Sequence, residues 1–184
     1  MNGLLTLAAT GAPLAARTVD LANSLTGAGW TVEVATTAAA RAWTDNLNLE
    51  SAIGSAVRIE QRHPSAGKSN GLSDVVVVCP ATFNTVAKIA TGIADSYVHS
   101  MLCEAVSRRV PLLMVPMVKE SLWNQTAWSN HLRVLENAGV WFLDPSSGAE
   151  IATPVASGSG DRLTALFDPN SIVSSLRRRG LRLP

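Results

Sequence analysis

The sequence predicts an α/β protein built on a parallel sheet that helices cover. Three observations carry this. Val75, Val76, Val77 and Val78 form an uninterrupted β-branched run, the pattern of a strand buried on both faces. Short apolar runs alternate with helical patterns along the chain, as in successive βαβ units. Glycines stand where the helical patterns stop, at Gly29, Gly92 and Gly139, in the manner of helix C-terminal signals.

Each element follows in order. Leu4 to Ala9 is the first expected strand, Thr10-Gly11-Ala12-Pro13 a turn, and Ala15 to Ala28 a helix with Val19, Leu21, Ala22 and Leu25 among its apolar positions. A helix start after such a turn is a natural phosphate site, although the glycine-rich dinucleotide fingerprint and the Walker lysine motif are both absent. Trp30 to Ala35 is a second strand, with Thr36 and Thr37 at its carboxyl end ahead of a helix over Ala38 to Trp43. Thr37 suits the N-cap of that helix. Val57 to Glu60 reads as a short third strand, and the polar segment Gln61 to Ser73, which carries His63, as a loop. The valine strand is expected to stop at Pro80, which lacks the N–H a ladder needs. It delivers Ala81, Thr82, Asn84 and Thr85 to the carboxyl edge, where open α/β sheets bind ligands. Helices are expected from Val86 towards Gly92, over Tyr97 to Val106 and over Asn124 to Ala138, with strands at Pro111 to Val115 and Val140 to Leu143. The stretch Pro145 to Arg162 is rich in Gly, Ser and Pro and reads as a lid or a loop. A short helical pattern then leads into Arg177, Arg178, Arg179 and Arg182, a basic tail expected to be solvated.

The bulk numbers limit the function classes. With 184 residues, one domain over 1–184 is long enough to bury a real core. Hydrophobic residues make up 47% and charged ones 16%, which excludes a disordered chain. A net charge of +1 gives no reason to expect nucleic acid as a partner. Cys79 and Cys103 are too few for a disulfide framework, so a reducing, cytoplasmic setting is the expectation. No stretch has the apolar length of a membrane span. The opening MNGLLTLAATG has no basic region before its apolar run and reads as a strand rather than a secretion signal.

Pro80-Ala81-Thr82-Phe83-Asn84-Thr85, followed by Lys88-Ile89-Ala90-x-Gly92-Ile93-Ala94-Asp95, resembles the PASANT motif and its sequel in the flavin-containing cysteine decarboxylases. That family includes phosphopantothenoylcysteine decarboxylase and the peptidyl-cysteine decarboxylases of lanthipeptide and linaridin-type biosynthesis. Phe83 is the main departure, since the family has a small residue there. The resemblance extends from Thr10 to Arg162. It implies a Rossmann-like three-layer sandwich with a mostly parallel central sheet, FMN bound between subunits, and a homo-oligomer, trimer or dodecamer. By the same resemblance Thr10-Gly11-Ala12 corresponds to the family's phosphate turn with its serine lost, so that Gly11 and Ala12 would hold the phosphate through backbone amides. Thr36, Thr37, Pro80, Ala81, Thr82, Asn84, Ser100 and Met101 are the other positions implied to approach FMN. The family's catalytic histidine stands fourteen residues ahead of the motif's first proline; that position here is Ala66, with His63 three residues further upstream as the candidate.

Two further departures concern the substrate. Pro116-Met117-Val118-Lys119-Glu120-Ser121-Leu122-Trp123 resembles the family's PAMNxxMW segment, with Lys119 in place of the asparagine that grips the substrate carboxylate. A lysine binds a carboxylate through charge-assisted hydrogen bonds worth roughly 1.5–3 kcal/mol, yet stabilising that ground state opposes its loss as CO2. Ala156 to Arg162 resembles the family's substrate clamp, within a lid over about 145–163. Ser157 stands where phosphopantothenoylcysteine decarboxylases carry a cysteine that reduces the enethiol intermediate, and a serine hydroxyl does no thiol redox chemistry. Asn84, Met117, Lys119, Ser157, Gly158 and Arg162 are the implied substrate contacts, and His63 and Lys119 the implied catalytic groups. The resemblance thus implies FMN-dependent oxidative decarboxylation of a precursor peptide ending in cysteine, with partner enzymes for aminovinyl-cysteine ring formation. Phosphopantothenoylcysteine decarboxylase and a non-catalytic flavin-binding subunit remain the alternatives.

Overall fold

A computed structural model of the chain describes residues 3–44, 46–54, 57–59 and 73–181. Five strands, β1 (Leu4–Ala9), β2 (Thr31–Thr36), β3 (Val75–Ala81), β4 (Leu112–Pro116) and β5 (Trp141–Phe142), form one sheet in the order β2-β1-β3-β4-β5. Every pairing is parallel. The helices are α1 (Thr18–Gly27), α2 (Asn46–Ile53), α3 (Phe83–Thr91), α4 (Tyr97–Ser107), α5 (Glu120–Trp123), α6 (Trp128–Asn137), α7 (Gly160–Leu166) and α8 (Asn170–Arg178).

The valine run shows why the sheet needs cover on both sides. Val75 and Val77 belong to one core cluster with Leu21 and Leu25 of α1 and Ile172 and Leu176 of α8. Val76 and Val78 belong to the other, with Val86 of α3, Leu102 of α4 and Trp128 and Leu135 of α6. Successive side chains alternate faces along a strand, so four apolar residues in a row serve two cores. This is the three-layer sandwich the sequence implies, and the sheet is parallel throughout among the described residues.

The structure changes several expected boundaries. The first helix begins as a 3-10 turn over Pro13–Arg17 before α1 takes over, and Ala38–Ala42 is 3-10 as well. Arg58 makes a single parallel bridge to Ala35, through Arg58 N–H to Val34 O and Thr36 N–H to Arg58 O, both 2.9 Å. The expected strand over Val57 to Glu60 is therefore one bridge on the outside of β2, and Glu60 lies outside the described residues. Pro80 does not end its strand. β3 runs on to Ala81, with a cis Cys79–Pro80 peptide and a register shift between Val78 and Ala81; an irregular ladder at that point makes no demand for the missing N–H. The expected helix over Asn124 to Ala138 is shorter at its start: α6 begins at Trp128, and α5 is a separate short helix that ends before Asn124. The basic tail is tied down in part: Arg178 and Arg179 both pair with Glu150, and the Arg179 guanidinium lies 5.0 Å from the centre of the Trp141 ring.

Between β1 and β3 the connections run off in opposite directions, which opens a crevice at their carboxyl ends. One buried hydroxyl closes its floor. Thr10 Oγ1 donates to Pro80 O at 2.8 Å and accepts from Thr82 N–H at 3.0 Å, while Thr10 N–H donates to Pro80 O at 3.3 Å. Thr10→Val keeps the shape and leaves Thr82 N–H without its partner, which costs about 1–3 kcal/mol. Urea or thermal unfolding is expected to show a midpoint lowered by several degrees; an unchanged midpoint contradicts the role given to this hydroxyl.

Candidate active site at the sheet switch point

Above the Thr10 tie lies a cavity of about 880 Å3. Its floor comes from the turn Gly11–Pro13 and the start of α3, one wall from Thr37 and Ala39, and the opposite wall from Met117, Val118 and Lys119 with the lid residues Val155 to Gly158. The sequence places each piece locally. Thr82 caps α3 by accepting from Thr85 N–H at 3.4 Å, which aligns the helix start with the cavity. Gly11 is required by close approach: a Cβ there would stand 2.7 Å from the Cβ of Ala39.

The wall at Thr36 and Thr37 carries a specific signal. Both hydroxyl oxygens are buried and neither has a hydrogen-bond partner. Buried polar groups are ordinarily paired, and Thr37, which lines the cavity, presents an open valence to whatever fills it.

The lid is docked rather than loose. Val155 N–H donates to Val118 O at 2.8 Å and Glu120 N–H to Val155 O at 3.2 Å, so Lys119 and Val155 form a parallel bridge at the cavity rim. Gly160 completes the closure, since a Cβ there would lie 2.9 Å from Cγ of Pro13. At the lid's base the buried Asp144 carboxylate accepts from the hydroxyls and amides of Ser146 and Ser147 and from the Thr153 hydroxyl. Burial alone would raise its pKa, but these donors outweigh burial and hold it at about 2.

Of the sequence-predicted residues, the fold brings Gly11, Ala12, Thr37, Thr82, Asn84, Met117, Lys119, Ser157 and Gly158 together around the cavity. Ala12 is corrected in its role: its N–H donates to Thr10 O at 2.8 Å, so the turn cannot offer both amides. Pro80 and Ala81 are buried in β3, and their carbonyls accept from Thr10 and from Met117 N–H. Thr36 sits behind the wall. Ser100 and Met101 do not line the cavity; the Ser100 hydroxyl donates to Ala94 O at 3.1 Å and Met101 packs into the helical core. Arg162 lines a neighbouring groove with Asp144 and Leu166, separated by the lid backbone. His63 lies outside the described residues. Lys119 is exposed at the rim and forms no ion pair among the described residues.

His99 was not anticipated. It is buried yet lines the cavity, with Nδ1 2.8 Å from Asp95 Oδ1 and 2.9 Å from Ser96 Oγ, and Nε2 3.4 Å from Thr85 Oγ1. Desolvation lowers its pKa against the upward pull of Asp95, and Lys88, paired to Asp95 at 2.7 Å, adds to the lowering. The signal was present in the sequence, as an Asp–His pair at i,i+4 straddling a serine N-cap.

A parallel sheet with helices on both faces and, at its switch point, a mostly apolar cavity that holds a few hydroxyls and an imidazole has the form of a ligand-binding α/β protein. The flavoprotein family model matches residues 2–179, and the chain belongs to that family. It is 28% identical over 173 residues to the coenzyme A biosynthesis bifunctional protein CoaBC of Escherichia coli (strain K12), a match covering 91% of this chain and 40% of that protein. The chain therefore spans about two fifths of the curated relative's length. In structure it is similar to a cysteine-to-serine mutant of PPC decarboxylase complexed with pantothenoylaminoethenethiol, with TM-score 0.72, 24% identity, and 97% and 98% of the two chains covered. It is also similar to the FMN-dependent cysteine decarboxylase TvaF from thioviridamide biosynthesis, with TM-score 0.70, 23% identity, and 90% and 99% covered.

The Asp144 anchor predicts a pH dependence. A carboxyl held at about 2 against an ordinary 3.8 contributes stability that is fully present above pH 3.8 and is lost as pH falls through about 2. Asp144→Asn is expected to be less stable than the parent at pH 7, with the gap narrowing as pH drops through that window. A gap that stays constant from pH 7 to 2 contradicts the assignment.

Proposed function

We propose that the chain is an FMN-dependent decarboxylase that oxidatively decarboxylates the C-terminal cysteine of a ribosomally made peptide. The observation that carries the FMN part is the orphaned hydroxyl of Thr37, in the cavity wall beside the Gly11 turn. A ribityl-phosphate chain supplies the acceptors and donors that such groups lack, and Gly11 N–H with Thr37 Oγ1 would hold it. Bound flavin supplies a two-electron acceptor. The chain's own residues do the rest. The Thr82 and Asn84 side chains at the α3 start orient the ligand, Lys119 at the rim attracts the peptide's terminal carboxylate, and the lid from Val155 to Gly160 keeps water from the reacting carbons.

Ser157 supports the product assignment. A relative whose cysteine was changed to serine was captured with an aminoethenethiol, and this chain has Ser157 in its lid by sequence. With no thiol at that place, the enethiol is released unreduced. The same reading takes a homo-oligomer, trimer or dodecamer, as the working form, with partner enzymes closing an aminovinyl-cysteine ring. Similarity to CoaBC favours one second reading, phosphopantothenoylcysteine decarboxylation in coenzyme A synthesis.

Mass spectrometry separates them. Incubation with cysteine-ending peptides is expected to remove about 46 Da (44 for CO2, 2 for two hydrogens), the signature of flavin-coupled oxidation. A loss of about 46 Da from phosphopantothenoylcysteine, or of about 44 Da if its enethiol is reduced in turn, with peptides untouched, establishes the second reading. Two variants test the site. Thr37→Val is expected to weaken FMN about 5- to 10-fold in a fluorescence titration, the equivalent of one hydrogen bond. Lys119→Ala is expected to raise KM roughly tenfold for a peptide with a free carboxylate and to leave binding of its amide unchanged. Equal effects on acid and amide contradict the role of Lys119.

A further inference from the structure

The cavity has a second polar feature, a row of side chains that runs from Thr82 away from the ligand. Thr82 Oγ1 and Thr85 Oγ1 are 3.2 Å apart, Thr85 Oγ1 is 3.4 Å from His99 Nε2, and His99 Nδ1 is 2.8 Å from Asp95 Oδ1. One end of this row borders the cavity at Thr82 and Thr85. The other is the exposed carboxylate of Asp95, whose side chain is half open to solvent at 50%.

The hydrogen-bond directions follow from the partners. A carboxylate only accepts, so His99 Nδ1 carries the proton that faces Asp95. The neutral ring then has a free lone pair on Nε2, and the Thr85 hydroxyl donates to it. Thr82 Oγ1 already accepts Thr85 N–H, so its own hydrogen is free to point to Thr85 Oγ1. The row is polarised in one direction, with a base at its inner end. Carboxylate, imidazole and hydroxyl in this order are the general arrangement for moving a proton to and from a site.

We propose that Thr82, Thr85, His99 and Asp95 form a proton relay between the cavity and solvent, with His99 Nε2 as the proton-holding atom and Thr85 as the group that meets the substrate's proton. The chemistry rests on the cysteine-decarboxylase reading. There, S–H and Cβ–H bonds break as C=S forms, with the electron pair taken up by the flavin. The Cα–carboxyl bond then breaks, CO2 leaves, its electron pair makes Cα=Cβ, and the sulfur becomes an enethiolate that takes a proton back. One proton therefore leaves sulfur in the first step and returns in the second. Nε2 accepts it through Thr85, Asp95 stabilises the imidazolium, and the ring returns it. His99 acts through Thr85, so it is a positioning and proton-holding residue, whatever His63 contributes.

The charged groups that face His99 are Asp95, in the segment between α3 and α4, and Lys88 on α3, which is paired with the other Asp95 oxygen. On α4 itself, Cys103 lies one turn on and is directed to Ile93 O. Burial and Lys88 lower the ring's pKa against the upward pull of Asp95, which favours the neutral ring that can accept a proton.

The test uses the chain without FMN and loaded with FMN, by two readouts. In 15N NMR of the imidazoles, His99 is expected as the neutral Nδ1–H tautomer at pH 7, titrating below the ordinary histidine range, and saturating the cavity with FMN is expected to move that midpoint. Thr85→Val is expected to abolish the movement while leaving the tautomer intact. In turnover of a cysteine-ending peptide, His99→Gln and Thr85→Val are each expected to lower kcat about 100-fold with KM and FMN content unchanged. Asp95→Asn is expected to shift the acid limb of the kcat profile to lower pH. Should His99→Gln not fold, Thr85→Val carries the test. An Nε2–H tautomer or an imidazolium at pH 7, or parental kcat and pH profile in Thr85→Val, overturns the relay. If the parent turns over no cysteine substrate, the decarboxylase reading falls. The NMR arm then decides alone, and a His99 midpoint indifferent to FMN overturns the relay.

Discussion

The hydroxyl of Thr10 bonds to both Pro80 and Thr82 and so holds the ends of β1 and β3 together at the point where the sheet reverses its winding. Everything at the site is hung from that junction. On one side it fixes the Gly11 turn against Ala39, on the other the start of α3, and between them the cavity opens. A parallel sheet buried on both faces cannot spare polar groups inside, so its uncommitted hydrogen-bonding capacity collects at the carboxyl edge. The orphaned hydroxyls of Thr36 and Thr37 and the threonine pair at the α3 cap belong to that edge.

The cavity separates two kinds of chemistry. Its inner end combines small residues, hydroxyls and a buried imidazole, suited to a ligand whose reactivity needs orientation and proton control. Its outer rim places Lys119, which forms no ion pair among the described residues, beside a lid that is stitched to the segment after β4 by backbone bonds at Val155 and anchored through Asp144. In the proposed function an exposed Lys119 would attract a carboxylate from water without enclosing it, which limits the ground-state stabilisation that opposes CO2 loss. An arrangement of this kind fits a chain terminus entering from solvent better than a small molecule engulfed whole.

Much of this was legible in the sequence because it follows from pattern. Four consecutive valines dictated a strand with two buried faces, and the polar residues after Pro80 had to emerge at its carboxyl edge. Gly11, Thr37, Thr82, Asn84, Lys119 and Ser157 were readable as neighbours of one site through the resemblance to the flavin-containing cysteine decarboxylases, and all six line the cavity. What escaped depended on contacts distant in sequence or on local competition. The strand running through Pro80 depends on a register shift that no single-strand pattern encodes. The spent amide of Ala12 depends on a turn bond to Thr10. α2 and α7 have weak or short patterns, and the ion pairs of Arg178 and Arg179 depend on Glu150, far along the chain. His99 was hidden for a different reason: inside a helix with Val98 and Leu102 it reads as a core residue, and only its bonds to Asp95 and Thr85 reveal a polar line through the core.

The absorption spectrum of the purified, folded protein after addition of FMN and removal of the excess by gel filtration tests the central claim most directly. The account predicts a yellow protein with bands near about 370 and 450 nm, as expected for a bound flavin cofactor, at about one flavin per chain. A colourless protein that remains folded and retains no FMN would contradict it.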